Sequence, residues 1–315
     1  AVPELADISK QVADATPSYR RQVAASIESL ESWIVQAKKA LADNTAIPPA
    51  PSMPRHPLDG SGSPTGLYNG MIHGLVPYAM RGALWYQGES NGGEGESYYH
   101  KMQALIGGWR KLWGEGDFPF YYVQLATFQN LNENPEGGDG WARVLEAQLS
   151  ALNIPNTGMA VLTDIGHPTD IHPKDKQDVG ERLALWALAK DYGKKDLVYS
   201  GPLFKSVKFE GDKAVLSFDC TGTGLMVGKK EGLAPVEEVP GGELKGFSVK
   251  GDDGKWQWAD AKIVGDTVVV SAKDVSKVTA VRYGFTSNRT NCNLYNKQGL
   301  PAPGFRTDTE WTPKK

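Results

Sequence analysis

From about residue 81 to residue 192 the chain alternates short apolar runs with longer stretches in which apolar residues recur at helical spacing. The runs at 81–86, 119–125 and 158–163 predict strands, and the periodic stretches at 97–112, 140–152 and 174–192 predict helices. Such alternation predicts a parallel sheet covered by helices, with a site at the carboxyl ends of its strands. Upstream, Val23, Ile27, Leu30, Ile34 and Leu41 fall at three- and four-residue spacings that predict helix over 4–43. Pro17, with Thr16 as N-cap, predicts a break that makes this region a helical hairpin or a kinked pair. Residues 44–66 are dense in Pro, Gly and Ser and predict an irregular connection. Beyond Gly201-Pro202 the helical period vanishes. Short runs at 206–218, 244–249, 256–258, 267–271 and 279–285, separated by Gly-Asp turns, predict a β-rich, sandwich-like module. The expected division is a helical segment and connection over 1–65, an α/β unit over 66–200 and a β-rich domain over 201–315.

Composition narrows the partners rather than the fold. The 315 residues are 40% hydrophobic, enough for a substantial core, and 34 basic against 37 acidic side chains leave a net charge of −3. No basic block or aromatic-basic interleave points to nucleic acid, and no apolar run is long enough to span a membrane or form a signal peptide. Nine Trp and twelve Tyr suit sugar faces, although most aromatic residues serve a core. Cys220 and Cys292 are the only cysteines, so neither a disulfide framework nor a zinc spacing is present. They either pair across the β-rich region or remain two buried thiols.

Candidate chemistry lies in the polar loops that follow the predicted strands at 87–91, 126–134 and 164–173, which leave the sheet at one edge. Gln87 carries an amide that can donate to a developing oxyanion, and Gly88 permits close backbone approach. Glu89 and Asn91 are candidate substrate contacts, with a loop-buttressing role the alternative for Glu89. In the third loop Asp170 and His172 stand two residues apart. His is the natural general base near neutral pH and needs a partner to fix its tautomer. A lone loop histidine is usually structural, but two polar strand-end loops in one α/β unit turn the reading toward acyl transfer or ester hydrolysis.

Four stretches carry a resemblance: Tyr86-Gln87-Gly88-Glu89-Ser90-Asn91, Gly66 to His73, Asp170-Ile171-His172-Pro173-Lys174 with Gly180-Glu181-Arg182-Leu183, and Cys292 to Asn296. In this order they resemble the sialate O-acetylesterases, members of the SGNH hydrolases and similar to some acetylxylan esterases, over about residues 66–308. The resemblance implies a flavodoxin-like three-layer α/β/α SGNH hydrolase domain with an additional β-rich domain, removing O-acetyl groups from sugars without metal or organic cofactor. It implies His172 as catalytic base, Gln87 as oxyanion donor, and action outside the cytoplasm, in a secreted or periplasmic setting.

The chain departs from the family twice. The Gly-Gln-Ser-Asn block that carries the nucleophile is absent from these 315 residues, so the Ser is expected on an amino-terminal segment or a second chain, with this chain the carboxyl-terminal part. The acid stands at Asp170, two before His172, where the common pattern puts it three before and this chain has Thr169. Asp170 is thus the first candidate to orient His172, with Asp164 or backbone carbonyls as alternatives. Competing readings are a catalytically silent carbohydrate-binding or scaffold chain, an acetylxylan esterase, and a nucleophile relocated to Ser90 or Ser63.

Overall fold

The computed structural model describes residues 2–60, 62–76 and 78–309. They form two compact units, Ala1–Ala79 and Met80–Lys315.

The first unit is dominated by α1 (Ala6–Ala42), which runs unbroken through Pro17. The expected break at Pro17 is therefore corrected. Proline's fixed φ lies within the helical range, and its missing N–H orphans only the carbonyl of Ala13, an exposed residue that water can serve. The connection after α1 folds back along it: Trp33 Nε1 donates to the Pro48 carbonyl at 2.7 Å, and His56 meets the Thr16 hydroxyl at 3.3 Å and packs edge-on against Tyr19. The expected apolar stripe of α1 is only partly covered, with Ile27, Ile34 and Leu41 exposed.

The second unit begins with β1 (Ala83–Trp85), α2 (Ser97–Trp113), β2 (Phe120–Val123), α3 (Ala142–Ser150), β3 (Thr157–Ala160) and α4 (Lys176–Lys190). The strands form a parallel sheet in the order β1-β2-β3. Successive residues of β2 point to opposite faces. Phe120 and Tyr122 pack with Tyr98, Met102 and Ile106 of α2 and with Val144 and Leu145 of α3. Tyr121 and Val123 pack with Val179, Leu183 and Trp186 of α4. Helices therefore cover both faces, which is why all of β2 is buried. Gly114 ends α2 in a left-handed turn, its N–H returning to the Arg110 carbonyl. β1 is an edge strand, and its Leu84 remains 67% exposed.

The rest is antiparallel: β4 (Leu203–Glu210), β5 (Lys213–Asp219), β6 (Leu225–Lys229), β7 (Glu237–Glu238), β8 (Phe247–Gly251), β9 (Trp256–Trp258), β10 (Asp260–Val264), β11 (Thr267–Ser271), β12 (Val278–Tyr283), β13 (Leu294–Asn296) and β14 (Phe305–Arg306). Sheets β10-β11-β5-β4 and β14-β12-β8-β9 share one core, to which alternate residues such as Leu216, Val268 and Val270 contribute from the first and Val249, Val281 and Tyr283 from the second. Phe204 of β4 stacks on Phe305 of β14 across the two, with ring centroids 4.5 Å apart. A third sheet, β13-β6-β7, leaves no apolar pattern because its strands are short, β6 ends in Gly228-Lys229 and β7 is Glu237-Glu238.

The β-rich module grips the α/β elements where their loops leave the sheet. Phe128 N–H donates to the Ser287 carbonyl, Asn288 Nδ2 to the Gln129 carbonyl at 2.7 Å, Thr286 Oγ1 to Asp139 at 2.7 Å and Trp141 N–H to Ser287 Oγ at 2.9 Å. Arg306 forms a bidentate pair with Glu146 of α3. The loop between β2 and α3 is thereby held along much of its length.

Candidate active site

The loop after β3 is anchored before it reaches the candidate base. Asp164, 3% exposed, accepts two hydrogen bonds from Arg182 of α4, at 2.6 and 2.8 Å, and the same guanidinium donates to the Val161 carbonyl at 2.6 Å. This paired, fork-shaped contact fixes the carboxylate in orientation as well as position. Burial and the neighbouring Asp164 hold the Tyr295 phenol well above its ordinary range. Asp164 is thus committed to structure, although it also borders the pocket described below.

From Ile165 onward the loop pairs with the one leaving β2. Thr127 N–H donates to the Ile165 carbonyl at 2.9 Å, His167 N–H to the Thr127 carbonyl at 3.1 Å and Gln129 N–H to the Pro168 carbonyl at 3.0 Å. Gly166, at φ 139°, is required there, since a Cβ would collide with the Thr127 backbone.

Asp170 and His172 follow. Asp170 Oδ1 accepts the His172 backbone N–H at 2.9 Å, a local turn of the kind aspartate favours. The same oxygen lies 3.9 Å from His172 Nδ1, too far for a hydrogen bond, and the imidazole is 86% exposed. Asp170 therefore shapes the backbone in this structure rather than holding the ring. Beyond Pro173, Asp175 caps α4 by accepting the Asp178 N–H at 3.0 Å.

A pocket of about 340 Å³ opens here, bordered by Asp170, His172, Lys174 and Asp175 together with Lys230 and Gly232 of the β6–β7 connection. Lys230 is nearly buried. Its ammonium pairs with Asp178, lies 3.9 Å from Asp175 and donates to the Ala234 carbonyl. A groove of about 660 Å³ continues from the pocket through Asp164, Ile165, Gly166 and Lys230, along Lys229, Lys245 and Asn291 of the β-rich module. Both volumes fall within the range of small-ligand sites.

The loop after β1 is built differently. Gln87 Nε2 donates to Asn91 Oδ1 at 2.6 Å, Asn91 Nδ2 to Glu94 Oε1 at 2.8 Å, and Lys101 Nζ to that same oxygen at 2.6 Å. The Tyr98 hydroxyl donates to the Gln87 carbonyl at 2.8 Å, and buried Gln148 accepts the Leu125 N–H at 2.9 Å. Gly88, at φ 147°, sits where a Cβ would lie 3.2–3.3 Å from side-chain atoms of Gln148, Tyr98 and Leu125. Arg289 of the β-rich module, fully buried, backs this corner by donating to Leu125 O at 2.6 Å and Gln124 Oε1 at 3.0 Å, and burial lowers its guanidinium to about 10. Gln87, Glu89 and Asn91 do not border the His172 pocket. The two loops approach through Lys176, whose ammonium sits 4.5 Å above the Tyr86 ring. Ser90 is exposed, and Ser63 Oγ donates to the Pro57 carbonyl.

Lys230, Gln148, Tyr98 and Arg289 escaped the sequence reading. Only Arg182 left a signal: it shares the helical face of Val179, Leu183 and Trp186, so a charge had to be buried there and needed a partner.

Both cysteines are free. Burial pushes the Cys292 thiol up to about 12, so at pH 8 roughly one part in ten thousand is thiolate. Iodoacetamide at that pH should leave Cys292 unmodified in the folded protein and alkylate it after denaturation, which peptide mass mapping will show.

The described residues thus place a parallel α/β unit with polar strand-end loops beside an antiparallel module that borders its pocket. Residues 61–189 match the family described as carbohydrate esterase, sialic acid-specific acetylesterase. The human sialate O-acetylesterase is 31% identical over 284 residues, covering 82% of this chain and 52% of its own length, and the rat sialate O-acetylesterase is 30% identical over 277 residues, covering 80% and 49%. The crystal structure of a carbohydrate acetylesterase from Xanthomonas citri superposes with a TM-score of 0.70 at 43% identity, over 78% of this chain and 54% of that one. The chain is similar to the sialate O-acetylesterases, and it spans about half the length of the curated relatives it matches.

Proposed function

We propose that this chain is the carboxyl-terminal part of a carbohydrate O-acetylesterase that hydrolyses acetyl esters on sugars by a Ser-His mechanism, with the nucleophilic Ser outside residues 1–315. The observation that carries the reading is the pocket bordered by His172 and Asp170 in a chain with these relatives. The α/β elements are the carboxyl-terminal part of a flavodoxin-like SGNH domain, and the free edge of β1 is where the rest of its sheet would add. The organisation into a helical segment over 1–65, a hydrolase core over 66–200 and a β-rich domain over 201–315 belongs to this reading.

In the reaction, the Ser hydroxyl attacks the acetyl carbonyl while His172 Nε2 takes its proton. The Gln87 amide donates to the oxyanion. The tetrahedral adduct collapses, His172 returns the proton to the departing sugar oxygen, and the acetyl group stays on Ser until water, activated by the same imidazole, releases acetate. Asp170 or backbone carbonyls orient the ring once the site is complete. Glu89 and Asn91 serve the sugar side. The pocket and its groove suit an O-acetylated sialic acid, and the setting is secreted or periplasmic. Among the described residues no helix is long and apolar enough to cross a membrane.

An activated phosphonate applied to the complete gene product tests the reading. The expected adduct is on a Ser outside this chain, with acetate released from 9-O-acetylated sialic acid faster than from acetylated xylan. A label on Ser90 or Ser63 would relocate the nucleophile. No label and no acetate release would make the chain a carbohydrate-binding or scaffold protein.

A further inference from the structure

A carboxamide presents oxygen at one end and nitrogen at the other, and only the nitrogen can stabilise an oxyanion. For Gln87 the choice between them is made away from the amide itself. Lys101 has donors only, and ionised Glu94 has acceptors only. Both Lys101 Nζ and Asn91 Nδ2 donate to Glu94 Oε1, at 2.6 and 2.8 Å, while Glu94 Oε2 is buried without a partner. An acceptor-only neighbour obliges Asn91 to turn its nitrogen toward Glu94 and its oxygen toward Gln87. Gln87 must then present Nε2 to Asn91 Oδ1, as it does at 2.6 Å, because the opposite flip would set two amide oxygens against each other. At the far end the Tyr98 hydroxyl, whose proton goes mainly to the Gln87 backbone carbonyl at 2.8 Å, lies 3.3 Å from Gln87 Oε1 and shares that proton with it. Burial raises that phenol to about 12, so it keeps its proton at neutral pH. The second hydrogen on Gln87 Nε2 meets no acceptor among the described residues.

We propose that Glu94 and Lys101 are positioning residues that lock the flip of the Gln87 amide, so that its unpaired N–H is held ready for the oxyanion. This rests on the reading of Gln87 as oxyanion donor given above. The ion pair is partly exposed, with the Lys101 and Glu94 side chains 37% and 29% accessible, and pairs of that kind add little to stability. Its effect therefore falls on orientation: the chain of bonds transmits the polarity of a fixed charge through two amides.

Glu94→Gln tests this with little change of shape. The new amide can donate as well as accept, which opens both flips to Asn91 and Gln87. In the complete gene product, with 9-O-acetylated sialic acid or 4-nitrophenyl acetate as substrate, kcat should fall about tenfold, less than the ~10²-fold expected for Gln87→Ala, with KM and the melting temperature nearly unchanged. In a Gln87→Ala background Glu94→Gln should have no further effect, since there is then no flip to lock. If Glu94→Gln lowers the melting temperature, Lys101→Met, a change at the partly exposed end of the chain, carries the same expectation with a smaller loss. Full activity of both variants beside a damaged Gln87→Ala enzyme overturns the proposal alone. An equal loss from Glu94→Gln with and without Gln87 also overturns it, because Glu94 would then act elsewhere. Full activity of Gln87→Ala removes the oxyanion reading and the proposal with it.

Discussion

Replacing His172 by alanine in the complete gene product is expected to lower kcat for acetyl ester hydrolysis by roughly 10⁴- to 10⁶-fold, the scale on which loss of a general base acts in serine hydrolases. Nothing in the fold should answer for the loss. The imidazole is 86% exposed, with no hydrogen bond from either ring nitrogen to a described residue, so removing it opens no cavity and strands no buried partner. Melting temperature should match the parent, and KM should change little because proton transfer is needed only as the Ser attacks and the sugar departs. Steady-state kinetics alongside a thermal melt separate the two quantities. Near-normal turnover in the variant would sink His172 as the base and leave the loop at 164–173 without a catalytic role.

The second large effect is on stability and lies one turn of backbone logic away. Arg182→Leu should cost about 3–5 kcal/mol of unfolding free energy, because it leaves the Asp164 carboxylate buried with its charge unmatched. Both partners are nearly inaccessible, at 7% and 3%, and Arg182 also serves the Val161 carbonyl. Removing both charges together, as Asp164→Leu with Arg182→Leu, should return part of that stability, since the largest penalty comes from the stranded ion. Urea unfolding of the two variants measures the difference. A single-variant loss under about 1 kcal/mol would mean that water reaches Asp164. Activity should fall with Arg182→Leu although the side chain touches no substrate, because Asp164 begins the loop that ends in His172.

The α/β elements were legible in the sequence because each carried its own period. Within the run 119–125, residues 120–123 are apolar throughout, as a strand covered on both faces must be, and they are β2 itself. Pro17 misled for the opposite reason: a local breaker signal lost to a long helix that forfeits a single hydrogen bond at an exposed turn. The candidate site was legible residue by residue and not as an arrangement. Gln87 and His172 announce their chemistry by type, yet the bond that seats the Gln87 carbonyl comes from Tyr98, read only as part of a helix, and the support behind Leu125 comes from Arg289, 164 residues away in sequence. Such pairings depend on where two separately folded stretches meet, and no periodicity encodes that. Asp170 shows the limit most plainly. Its spacing suggested a partner for the imidazole, and the same spacing lets its carboxylate reach the His172 backbone N–H at 2.9 Å instead.

The contribution of Lys230 and Gly232 to the His172 pocket separates two jobs that many enzymes assign to the same loop. On the proposed function, the reaction belongs to backbone leaving the parallel sheet, whereas part of the wall that a sugar would touch belongs to a turn between β6 and β7. That turn answers to a different core and a different set of folding constraints. On that reading, selection can rework which sugar is admitted by editing a short stretch around residues 230–236, leaving the loop after β3, its buried ion pair and its glycine untouched.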